Sequence, residues 1–141
     1  MAVTINPDKY IRGAVHALIN GIVVNTKVIK CFDSRATNAP MEYVLLTAQS
    51  KEVLKPNKCE YQFETSLLIE IYTKTTSSGN TGSRVLLNDI EQAVYTLLLP
   101  KLTVAGFENL TQNITFENSL DTPTDTELIS RSFMRLNLTL I

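Results

Sequence analysis

The segment from Cys59 to Tyr72 constrains the fold more than any other part of the chain. Cys59, Tyr61, Phe63, Thr65, Leu67, Ile69 and Ile71 share one parity. Glu60, Gln62, Glu64, Ser66, Leu68, Glu70 and Tyr72 share the other. Successive side chains of an extended strand point to opposite faces, so this alternation requires a sheet with one buried face. The segment from Ser132 to Ile141 repeats the pattern. There Met134, Leu136, Leu138 and Leu140 point inward, and Phe133, Arg135, Asn137 and Thr139 point outward. Leu110 to Glu117 alternates as well, with Leu110, Ile114 and Phe116 on one side. Asp121 to Asp125, containing Pro123, reads as a turn.

Two other segments follow a helical period. Asn6 offers a cap and Pro7 a first helical position, with Asp8 in the first turn. Ile11, Ala14, Val15, Leu18 and Ile19 then fall on one face, and Asn20-Gly21 ends the helix. The second helix spans Arg84 to Leu99 and places Leu86, Ile90, Ala93, Val94, Leu97 and Leu98 on one stripe. Pro100 fits its exit. Gly21 to Phe32 is rich in β-branched residues and reads as one or two strands. Lys27 and Lys30 break its alternation and suit a sheet edge. Asp33 to Pro40 is a loop, Tyr43 to Ala48 a strand extending toward Leu54, and Lys55 to Lys58 a turn.

The expected fold class is therefore α+β: one largely antiparallel sheet of four to five strands, with two helices packed on one face. At 141 residues the chain fits a single domain, 1–141. Its 44% apolar content supports a core and argues against disorder. The formal net charge of −1 leaves no basic excess to hold nucleic acid. No apolar run is long enough to span a bilayer. Met1 to Tyr10 has neither the cationic lead nor the apolar run of a secretory signal. The sequons at Asn109, Asn113 and Asn137 then carry no implication for glycosylation.

Residue types that carry chemistry are sparse. His16 is the single histidine, placed on the first helix as a flank or core residue, and it has no second histidine with which to bind a metal. Cys31 and Cys59 lie in apolar segments, without CxxC spacing, and read as buried free thiols. A bridge between them stays open, because sequence does not give their separation. Gly79-Asn80-Thr81-Gly82-Ser83 precedes a helix, but the lysine of a phosphate loop is missing. These features lead to no expected cofactor, no metal and no enzymatic activity.

Two surface features remain. Thr73 to Ser83 is polar and long for a connector, so Ser77, Ser78, Gly79, Asn80, Thr81 and Gly82 form a candidate contact loop. Glu60, Glu64 and Glu70 form a candidate acidic face, which ordinarily is a solvated face. Arg131 and Arg135 suit pairing with acids on a neighbouring strand or subunit.

Pro40-Met41-Glu42-Tyr43-Val44-Leu45-Leu46 resembles the Pro-Tyr-Val-x-Leu segment of phage tail-completion and tail-terminator proteins, the head–tail connector or neck family. Leu68-Ile69-Glu70-Ile71-Tyr72-Thr73 resembles that family's strand before the polar loop. The helix and the final strand follow in the family's order. Met41-Glu42 departs from the pattern by separating Pro40 from Tyr43. The resemblance implies a structural virion protein of a tailed phage: a neck or tail-terminator ring subunit joining the tail to the head connector. It implies a homo-oligomeric ring, a hexamer or dodecamer, with other neck, connector or tail-tube proteins as partners. It implies assembly in the host cytoplasm and residence in the virion, with no membrane. DNA would pass through the ring without specific binding, and an acidic face turned toward it would prevent sticking. The family carries no catalytic residues. The alternative reading is a small cytoplasmic α+β binding or regulatory module.

Overall fold

The computed structural model describes residues 6–34, 40–54, 62–76, 82–123 and 127–141. In chain order the elements are α1 (Asp8–Ile19), β1 (Ile22–Val24), β2 (Lys27–Asp33), β3 (Glu42–Leu54), β4 (Gln62–Thr76), α2 (Gly82–Leu97), β5 (Asn109–Pro123) and β6 (Glu127–Leu140). The six strands form one sheet in the order β1-β2-β3-β4-β6-β5. The α+β class holds, but the sheet has more strands than the sequence led us to expect. Its pairing is antiparallel except for β2 and β3, which run parallel through four residue pairs, Lys30–Asp33 against Tyr43–Leu46.

One core lies between this sheet and the two helices. Phe63, Leu67, Ile69 and Ile71 of β4 are buried beside Met134, Leu136, Leu138 and Leu140 of β6. Ile11, Val15 and Ile19 of α1 cover the β2–β3 side, and Leu87, Ile90 and Val94 of α2, with Leu98 just past its end, cover β4 and β6. The α2 stripe is rotated from the one expected: Leu87 is buried, while Leu86, Ala93 and Leu97 sit only partly covered.

Local chemistry explains the element ends. The Asn6 side chain accepts the Asp8 N–H at 3.0 Å, although Pro7 occupies the capping position itself. Gly21 exits α1 at φ 84°, in the left-handed region that glycine reaches without a Cβ penalty. The β1–β2 turn places Asn25 and Thr26 at φ 49° and 68°. Two successive positive φ values match the twist of a tight hairpin. The Asn25 amide also donates to Asp89 of α2 at 2.6 Å.

A register shift between Leu46 and Gln49 interrupts the β3–β4 ladder. Arg12 of α1 closes this irregularity with five hydrogen bonds. Its guanidinium donates to the Leu46 carbonyl (2.8 Å), the Thr47 carbonyl (2.9 Å), Gln49 Oε1 (3.1 Å), Ser34 Oγ (3.1 Å) and Asp33 Oδ1 (2.7 Å). At the other end, Gln112 of β5 accepts the Leu102 N–H at 2.8 Å and donates to the carbonyls of Leu98 and Pro100. It thus satisfies the chain where it leaves α2.

Several boundaries differ from expectation. Thr73 to Thr76 belong to β4, because Glu127 to Ser130 of β6 pair with them. Asp121 to Pro123 belong to β5, where they pair with Leu128 to Ser130. β5 lies at a sheet edge, which tolerates the missing N–H of Pro123. The expected turn at Lys55 to Lys58 lies outside the described residues.

Candidate assembly surface

The sheet face turned away from the helices carries the most unusual chemistry. Directly opposed residues of antiparallel strands point to the same side, so the register fixes its composition. Tyr43 is opposite Tyr72, Leu45 opposite Glu70, Glu70 opposite Phe133, and Tyr72 opposite Arg131. Phe32 on β2 joins them beside Leu45. The Phe32 and Tyr43 rings meet edge-on at 5.8 Å, and Tyr43 stacks on Tyr72 at 4.9 Å. The Arg131 guanidinium lies 5.9 Å from the Tyr72 ring centre and 5.8 Å from that of Phe133. It is thus held by both aromatic faces.

Glu70 sits within this cluster and is only 9% exposed. The Tyr72 hydroxyl donates to its Oε1 at 2.8 Å. Burial, and then the hydrogen bond to the Glu70 carboxylate, push the Tyr72 phenol above its ordinary range, with Arg131 opposing. Burial and the same carboxylate raise Tyr43. Arg131 Nε is buried with no hydrogen-bond partner among the described residues.

The other half of this face is polar. The Ser50 and Ser66 hydroxyls meet at 2.6 Å, Asn137 donates to Asn113 at 2.9 Å, and Thr111 to Thr139 at 2.7 Å. Arg135 pairs with Glu117 at 3.0 Å, so one arginine found the neighbouring-strand acid expected of it.

The acidic face is therefore not a uniform one. Glu64 is exposed, but Glu70 is drawn into the aromatic cluster, and β6 brings Arg131 and Arg135 to the same side. Glu60 lies outside the described residues. Of the candidate contact loop, Ser77, Ser78, Gly79, Asn80 and Thr81 also lie outside them, and Gly82 is the first residue of α2. Sequence reading missed the Tyr43–Tyr72–Arg131 cluster. The outward parity of Tyr72 and Phe133 was visible, but their meeting with Tyr43 depends on strand order.

The reactive residue types have structural roles. The His16 ring Nε2–H donates to the Cys31 carbonyl at 2.9 Å and ties α1 to β2. Cys31 is free and buried. Burial, and secondarily the Asp33 carboxylate, push its thiol up to about 12, which withholds the thiolate a nucleophile needs. Cys59 lies outside the described residues. Among the described residues no three His, Cys, Asp or Glu side chains converge on a metal position, and no helix is long and apolar enough to cross a membrane. An open apolar groove of about 600 Å³ runs between α1 and the end of α2, lined by Ala14, Leu18, Leu97, Pro100, Lys101 and Leu102 among others.

No family model and no curated protein matches this sequence. Among solved structures, the fold is similar to that of a chain in the "Virion of native gene transfer agent (GTA) particle", with a TM-score of 0.50 at 12% identity, covering 94% of this chain and 90% of that one.

Proposed function

We propose that the protein is a structural virion protein of a tailed phage, a neck or tail-terminator ring subunit that joins the tail to the head connector. The observation that carries this reading is the fold likeness to a chain of a virion particle, which spans nearly the whole length of both chains. The open sheet face supports it. Tyr, Phe and Arg are the side chains that concentrate binding energy at protein interfaces, and here they form one cluster on the sheet face away from the helices, with Tyr43 buried at its centre and Tyr72, Phe133 and Arg131 partly exposed around it. In this reading the chain assembles in the host cytoplasm into a homo-oligomeric ring and meets other neck, connector or tail-tube proteins. DNA passes through the ring without being bound specifically, and the protein catalyses no reaction.

The test is complementation of a phage that lacks the gene for this protein. Particles made without it should show separated heads and tails, or tails of uncontrolled length, and adding back the wild-type chain should restore joined particles. Normal particles in its absence would refute the role. A second reading, a small binding module, draws on the apolar groove beside α1, whose size suits a small ligand. A tight small-molecule complex of a stable monomer would favour that reading instead.

A further inference from the structure

The open sheet face carries unpaired charge of opposite sign at its two ends. At one end Glu52 on β3 and Glu64 on β4 stand directly opposite each other, both exposed. Like charges in that position destabilise a strand pair. Among the described residues neither carboxylate enters an ion pair. At the other end one row crosses the sheet as Lys30, Tyr43, Tyr72 and Arg131. Lys30 is exposed and Arg131 partly so, and neither enters an ion pair among the described residues. The carboxylates described around this row are already engaged. Glu70 is 9% exposed and accepts the Tyr72 hydroxyl. Asp33 and Glu42 have the opposite parity and pair with Arg12 and Lys27. Arg135 and Glu117 neutralise each other between the two ends. Glu64 and Tyr72 are eight residues apart on β4, about 26 Å at the rise of a strand. The two ends therefore cannot neutralise each other within one chain.

We propose that a second copy packs face to face on this open sheet, about a two-fold axis that crosses the strands at Leu68. Such an axis lays each strand over its own counterpart with the direction reversed. Leu68 is midway between Glu64 and Tyr72 on β4, so reversal brings the acidic end of each copy over the cationic row of the other. Glu64 then meets Arg131, which neighbours Tyr72, and Glu52 meets Lys30, which neighbours Tyr43. Both surfaces lie on one face, so the contact is self-complementary, and two-fold symmetry makes each charge pair twice. Phe32, Leu45, Leu68, Tyr72 and Phe133 point to the same face and are partly exposed, which supplies apolar area to cover. Arg131 is held in place by the Tyr72 and Phe133 rings, so little side-chain freedom is lost when a carboxylate reaches it. This contact differs from the head-to-tail contact that closes a ring, and it does not depend on the ring reading.

Charge reversal on the full chain tests the contact by sedimentation velocity, with circular dichroism confirming the fold of each variant. Arg131→Glu alone and Glu64→Arg alone should each raise the dissociation constant of the pair roughly tenfold or more, because like charges then face each other. An equimolar mixture of the two should pair like the wild type. In the mixed pair one contact is native and the other is reversed on both sides. Lys30→Glu with Glu52→Lys gives the same reading without altering the aromatic cluster. Proximity at the axis is a separate measurement: a short bismaleimide should link two Leu68→Cys chains, with the wild-type chain as control, and adding Arg131→Glu should abolish the link. If the variants pair like the wild type, or if the mixture stays apart, the contact is overturned. If the wild type does not pair with itself, yet Arg131→Glu still prevents the joining of heads and tails, an acidic segment of another protein occupies this face and the self-contact is likewise overturned.

Discussion

Cys31 shows how a residue's type and its surroundings separate. Its sequence context, β-branched and apolar, already pointed to a buried thiol, and the structure places it in the core, 5% exposed. The consequence is a pH dependence with a definite sign. The thiol ordinarily ionises at 9.0, and in the fold only at about 12. The folded state therefore holds its proton where the unfolded state has released it. The stability that this contributes is complete below pH 9.0 and is lost as pH rises toward about 12. Tyr43 and Tyr72, both raised, act in the same direction. Urea midpoints should fall through this range. The fall should be shallower in Cys31→Ala, with the tyrosines supplying the remainder. An unchanged slope in the variant would show that the thiol is not the group responsible. Native Cys31 should also resist alkylation until the chain unfolds.

At the scale of the element, alternation was a faithful guide and boundaries were not. The inward residues of β4 and β6 could be read directly, because parity is a property of the strand itself. Their ends could not, because β4 continues through Thr76 only where β6 pairs with it. Likewise Leu87, rather than Leu86, reaches the core because the sheet decides which side of α2 it meets. The register can be checked with neighbouring residues of β6. Leu138 is 2% exposed and opposite Thr65, so Leu138→Ala should destabilise by about 2–5 kcal/mol through lost burial and a residual cavity. Asn137 lies on the open face, with hydrogen bonds to Asn113 and Thr115 that water can replace in part. Asn137→Ala should cost roughly 1 kcal/mol. Equal effects in denaturant titrations would contradict the one-sided burial.

Across the whole molecule, the joins between parts are where sequence said least. The parallel β2–β3 pairing and the meeting of α1 with the β3 irregularity bring together residues far apart in sequence, and nothing local to Arg12 marks it as their tie. Strands β3, β4, β6 and β5 are connected by long antiparallel ladders, whereas α1, β1 and β2 join the sheet through four parallel pairs, the shared core, Arg12 and a few side-chain bonds to β3, from Gln49 and Lys51 to Asp8 and from Lys27 to Glu42. This unequal attachment should make opening unequal. In native-state hydrogen exchange, amides of β4 and β6 should be the slowest and those of the β1–β2 hairpin among the fastest within the sheet. Arg12→Ala leaves the Leu46 and Thr47 carbonyls and the Asp33 carboxylate without their shared donor. Its cost should be roughly 1.5–3 kcal/mol, the range for hydrogen bonds to a charged group. That loss should appear first as faster exchange throughout α1, β1 and β2, while β4 and β6 still exchange only on global unfolding. If Arg12→Ala speeds all strands equally, the N-terminal part is no separate unit, and Arg12 acts on the molecule as a single cooperative block.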